Sequence, residues 1–167
     1  MSSIVYRLYS ASTVASYFLK LAESNGQLIT HMRLQKLVFF SHAWSLAIRS
    51  YPLLDEDVQA WETGLVIPSI YGEYISFGRR KITSFLYRPK RLVLLQADRV
   101  VVDLLNTVWE VYSAYTDLKL LEMTHLPNSP WKQARSRSLK PKTTVPDEVI
   151  KEYYKNQLKR TPAMHSK

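Results

Sequence analysis

His125 is the side chain best suited by type to move a proton. It lies in Thr124-His125-Leu126-Pro127-Asn128-Ser129-Pro130-Trp131, with Glu122 and Ser129 close in sequence. A general base needs a nucleophile within reach and a third group to orient the imidazole. The segment does not supply both together. The favoured reading is structural: the imidazole closes a helix end by bonding to its last carbonyls, with Trp131 packed behind it.

The other titratable residues point the same way. His31, His42, His125 and His165 show no ligand spacing among themselves, and no HExxH occurs, so no metal site is expected. His42, among Phe39, Phe40 and Trp44, reads as a hydrogen-bonded core histidine. Asp55, Glu56 and Asp57 could hold a cation but read as a solvated loop. Gln35 and Lys36 are polar residues in a largely apolar stretch. Gln35 is expected to anchor the buried backbone of the 58–64 segment, since an amide can donate and accept at once; the alternative is that it faces water.

Whole classes of chemistry are excluded by what is missing. There is no cysteine, which removes disulfides, thiolate zinc sites and thiol catalysis. The four glycines are too dispersed for a phosphate-binding loop, and no cofactor is expected. The expectation is a binding protein, not an enzyme.

These residues must be positioned by helices. Apolar spacing predicts a helix from about Ser12, closed by Asn25 and Gly26, and a second capped by Thr30. The second is apolar around much of its circumference and reads as the central helix, ending before Pro52. A short extended piece at 58–61 and a turn at Gly64 follow. Pro68 opens a helix with Tyr71, Tyr74 and Ile75 inward, which Gly78 stops. The 79–95 segment, with Pro89 between two β-branched or aromatic stretches, reads as a hairpin or an extended loop. Asp98, Thr116 and Ser129 cap three further helices, Pro130 occupies a first turn, and Pro146 starts the last helix. The expected fold is mainly α, a compact single-domain helical bundle with a minor short β element. Residues 1–160 form the domain and 161–167 a disordered tail.

The net charge of +9 is unevenly placed. Residues 1–129 carry 13 Lys and Arg against 11 Asp and Glu, whereas residues 130–167 carry 10 against 3. Such asymmetry suits an acidic partner or a solvated basic helix. Two basic groups are candidate partner-binding surfaces. One contains Arg79, Arg80, Lys81, Arg88 and Arg91; the other contains Lys132, Arg135, Arg137, Lys140 and Lys142. Most aromatic residues fall at core spacing, while Tyr87, Tyr153 and Tyr154, beside basic residues, are candidates to stack on nucleic acid. No apolar run is long enough to span a membrane, and Met1 to Ser10 lack the apolar stretch of a secretion signal, so a cytoplasmic location and no membrane partner are expected.

Five segments together resemble a known family. Leu34-Gln35-Lys36-Leu37-Val38-Phe39-Phe40-Ser41-His42-Ala43-Trp44 is similar to the LQKLLYFAQGW-type helix of the Panacea antitoxin domain, also called SocA-like, a family that includes phage-associated proteins. Pro52-Leu53-Leu54-Asp55-Glu56 resembles its PLF(D/E)E loop. Ala60, Trp61, Gly64, Val66, Pro68 and Tyr71 resemble its AWxxGPVxPxxY segment, with Leu65 in place of the usual proline. Thr124-His125 with Pro130-Trp131 resembles its TH…PW motif, and Val14 to Leu19 its opening. The resemblance implies a mainly helical fold. It implies an antitoxin that neutralises a cognate toxin by direct contact, or an adaptor delivering a toxin to a protease, or a phage counter-defence protein. A cognate toxin, or another host or phage protein, is the implied partner, with nucleic acid as the rival suggested by charge. The motif residues Gln35, Lys36, Trp44, Trp61, Gly64, Pro68, Tyr71, Thr124, His125, Pro130 and Trp131 read chiefly as determinants of the fold.

Overall fold

The computed structural model describes residues 6–83 and 89–160, and of residues 89–91 only the backbone. Arg88, Tyr87 and the 161–167 tail lie outside the described residues, as does the Arg91 side chain. Eight α-helices and one small antiparallel sheet make up the fold of the described residues.

Ser10, not Ser12, caps α1 (Ala11–Ser24), its side chain accepting from the Thr13 amide. Ser12 instead donates to Glu73 at 2.9 Å. Asn25 and Gly26, the latter at φ 66, close the helix as expected. Thr30 caps α2 (His31–Trp44). Eleven of its fourteen residues are buried, because α1, α3, α5, α6 and α8 all pack around it. Its last turn widens into a π-helical turn, Ser45–Arg49, and Ser50 at φ 55 breaks the helix before Pro52. The Ser45 hydroxyl ties off that end by donating to the Tyr51 carbonyl at 2.7 Å.

The extended piece after α2 is a hairpin: β1 (Gln59–Trp61) pairs antiparallel with β2 (Gly64–Val66), Trp61 opposite Gly64. A third strand, β3 (Lys142–Thr144), pairs with the other edge of β1 and sets Lys142 opposite Trp61. Its three polar residues carry no strand periodicity, so only the pairing reveals it. Pro68 occupies the first turn of α3 (Pro68–Tyr74), which tightens to a 3-10 turn at Ile75–Phe77 before Gly78 at φ 56. Ile70 and Tyr74 are its buried residues, whereas Ile75 is exposed.

The 79–95 segment corrects the hairpin or loop expectation: α4 (Pro89–Ala97) occupies its end. Pro89 is the first helical residue, a position where its missing N–H costs nothing, and not an interruption between strands. Leu92 and Leu95, three apart, are fully buried, while Val93 and Leu94 face outward. Asp98, Thr116 and Ser129 cap α5 (Arg99–Tyr112), α6 (Asp117–Thr124) and α7 (Pro130–Arg137).

The last helix, α8 (Asp147–Arg160), closes the core. Tyr154 is buried and lies edge-on to Phe39, Phe40 and Trp44, with centroids 5.9, 6.4 and 5.0 Å away. It therefore cannot offer a stacking face to a nucleobase, which overturns that expectation for Tyr154. Phe40 stacks on Tyr112 at 4.1 Å, and the Trp44 indole donates to the Tyr112 hydroxyl at 2.8 Å. His42, buried on α2, accepts from the Leu54 amide through Nδ1. That bond places its proton on Nε2, 2.9 Å from Asp147 at the start of α8.

Candidate functional site

The motif residues converge on the β1–β2 hairpin. From α2, the Gln35 side chain accepts from the Ile67 amide at 2.9 Å and donates to the Ile67 carbonyl at 3.1 Å. This is the anchoring chemistry expected of Gln35, made three residues beyond the expected segment. One amide side chain replaces a strand partner for both polar groups of a buried residue. Lys36, one residue along, donates from Nζ to the Leu65 carbonyl at 3.0 Å.

The other side of the hairpin meets α6 and α7. His125 Nδ1 donates to the Leu121 carbonyl at 2.8 Å, closing the end of α6. The Thr124 hydroxyl donates to the same carbonyl at 2.8 Å. The His125 ring packs on Trp131 at 4.1 Å between centroids, and the Trp131 indole donates to the Trp61 carbonyl at 2.7 Å. Ser129 caps α7 and Pro130 is its first residue, which aims Trp131 at the hairpin. Trp61 in turn lies 4.8 Å from Tyr71, and Tyr71 5.6 Å from His31.

A cavity of about 600 Å³ opens on the α2 side of the hairpin. Its lining includes His31, Lys36, Leu65, Tyr71, Leu118 and Leu121, with Arg79 also among the lining residues. Lys36 is only 4% exposed, and no carboxylate of the described residues pairs with it. Burial pushes its pKa down from 10.5 to about 8, since an ammonium loses its hydration there. His31 is also lowered, first by burial and then by the charge on Lys36. Asp117, on the same wall, is already engaged: it accepts from Thr30 and from Arg33, the latter at 2.9 Å. Arg33 also donates to the Ser113 and Tyr115 carbonyls, at 2.7 and 2.6 Å, locking the α5–α6 turn onto α2. The sequence reading missed this network; the signal was Thr116-Asp117 following a helix end, with Arg33 three residues after the Thr30 cap.

The two basic groups occupy different places. Arg79, Arg80 and Lys81 are exposed beside the start of α2, where Lys81 bridges to Thr30. Arg80 donates to the Ser76 and Phe77 carbonyls, which leaves Arg79 and Lys81 as the cations of that group, among its described side chains, with no such backbone bond from the side chain. The second group lies on α7, the loop after it and β3. Arg135 donates to the Lys140 carbonyl at 2.7 Å, and Lys142 sits 4.2 Å over the Trp61 ring. Lys132, Arg137 and Lys140 are exposed. Tyr71 and Trp61 form an aromatic link from the cavity wall to Lys142.

Among the described residues no group of His, Asp and Glu has the makings of a metal site. No helix among them is long and apolar enough to cross a membrane.

The family model for antitoxin SocA-like, Panacea domain, matches residues 34–132, from the start of the Leu34 motif to just past Trp131. No curated protein matches the chain. No solved structure matches it either. The matched residues cover more than half of the chain and include Gln35, Lys36, the β1–β2 hairpin, His125 and Trp131, and the protein belongs to the SocA-like antitoxin, Panacea domain family.

Proposed function

We propose that this protein is an antitoxin that neutralises a cognate toxin by direct protein–protein contact. Its family membership carries the reading. The arrangement of the site supports it: the hairpin is held rigidly from both sides, while exposed cations lie around it. Arg79 and Lys81 on one side, and Lys132, Arg137, Lys140 and Lys142 on the other, are the proposed contacts to acidic groups of the toxin. The lysines act as point charges, whereas the planar guanidinium groups of Arg79 and Arg137 can engage carboxylates through two bonds. The proposed place of action is the cytoplasm, and the gene's origin, phage, prophage or chromosomal, is read from its neighbours.

The test is co-expression with the product of the adjacent gene. Neutralisation restores growth, and the two proteins co-purify. If the toxin is found inert but undiminished, the mechanism is direct; if its level falls and a protease mutant restores it, the protein is an adaptor. Growth unaffected by the neighbouring product alone removes the antitoxin reading.

The excess of cations after residue 130 supports a second reading, a nucleic-acid-binding module. Binding would then weaken steeply with salt, in proportion to the phosphates contacted. Unchanged DNA and RNA mobility at low salt removes it.

A further inference from the structure

The Lys36 ammonium offers three N–H donors. Among the described residues only the Leu65 carbonyl receives it, although the residue is almost completely buried. A charge held out of bulk solvent on a single carbonyl is an expensive way to anchor a hairpin that Gln35 already anchors twice. Lys36 also lines the cavity beside the hairpin, whose volume of about 600 Å³ is that of a small-molecule site.

The charges around the cavity define what fits. Asp117 is matched by Arg33, and burial keeps His31 neutral. That leaves one unmatched positive charge inside, with Arg79, exposed, as a second. The remaining wall includes Leu65, Val66, Leu118 and Leu121. Arg79 is screened by solvent, so a dianionic phosphate would bring two negative charges to the single ammonium held inside, and an uncharged ligand would leave that ammonium without a counter-charge.

We propose that this cavity binds a monocarboxylate carried on an apolar body, the carboxylate meeting Lys36 and the body lying against Leu65, Leu118 and Leu121. The site does not rest on the antitoxin reading. The carboxylate can come from a free acid or from an acidic side chain of a bound protein.

The probe is hexanoate, titrated into the full chain with ¹³C-labelled lysine, with acetate as the control. Hexanoate should move the Lys36 Cε resonance saturably and bind more than tenfold tighter than acetate, because each buried methylene adds affinity. Lys36→Met should abolish the binding. Leu118→Asp places an anion on the cavity wall at a position 64% exposed, within the first turn of α6 where an acid is favourable. It should keep the fold and weaken hexanoate at least tenfold, so the test stands even if Lys36→Met does not fold. Absence of a saturable shift overturns the proposal, as does unchanged binding in Leu118→Asp. A co-purified partner displaced by hexanoate assigns the carboxylate to the partner; hexanoate bound by the intact complex assigns it to a free acid. Failure to find any partner would count against the antitoxin reading and leave the cavity result standing.

Discussion

Gly64 and His125 touch so closely that a β-carbon at residue 64 would come within 3.1 Å of His125 Cε1. Gly64 also sits at φ 140, where side-chain-bearing residues are strained. The turn of the hairpin and the end of α6 are thus fitted to each other through the absence of one carbon atom.

Gly64→Ala should therefore destabilise the fold by about 1–3 kcal/mol, combining backbone strain with the contact. Urea denaturation measures it. In a double-mutant cycle with His125→Ala, the combined loss should be smaller than the sum of the single losses, since removing the ring relieves one of the two penalties. Strict additivity would show that the ring and the turn do not press on each other.

Gln35→Leu should cost about 2–4 kcal/mol. It keeps roughly the same volume but leaves the N–H of buried Ile67 without a partner and its C=O with only the Tyr71 amide. Hydrogen exchange provides a local check: the Ile67 amide should lose protection more than amides of α5 do.

Lys36 gives a pH signature. Its folded pKa of about 8 lies below its ordinary 10.5, so between those values the unfolded chain holds a proton that the folded chain has released. Folding stability then rises with pH across that window. Relative to the native protein, Lys36→Met should lose up to about 3 kcal/mol of comparative stability between pH 8 and 10.5, as the native chain sheds its buried charge. The raised tyrosines, Tyr9 at about 12 with Tyr17, Tyr112, Tyr153 and Tyr154, act alike in both proteins and cancel in the difference. A difference flat with pH would mean that Lys36 is not buried as a cation.

Charge reversal tests the proposed contacts. Arg79→Glu with Lys81→Glu, and separately Lys132→Glu with Arg137→Glu, alter exposed residues and should leave the melting temperature nearly unchanged. At least one pair should weaken toxin binding more than tenfold, measured by titration calorimetry alongside growth rescue. Full neutralisation by both variants would move the interface elsewhere.

The helices were legible because their signals are local. Thr30, Asp98, Thr116 and Ser129 each cap the helix their position announced. The α4 helix was obscured by Pro89, whose meaning depends on whether a helix follows it. β3 was invisible because Lys142-Thr143-Thr144 form a strand only through pairing with β1, far earlier in the chain. Of the site, the types of Gln35, Lys36 and His125 stood out, but not their targets. Ile67, Leu65 and Leu121 offer backbone atoms, and a backbone acceptor leaves no trace in residue identity. Tyr154 was misread because its neighbours Lys151 and Lys155 are polar, while its own face of α8 points to Phe39 and Trp44.

The closure of the core by α8 has a practical corollary. A fragment trimmed to residues 34–132, the stretch that the family model matches, would lack Tyr154, Ile150 and the whole of α1. Phe39, Phe40 and Trp44 would lose an aromatic wall, His42 would lose Asp147, and β1 would regain a naked edge. Such a fragment should clump and not fold, because the walls that keep its core out of water lie on either side of it.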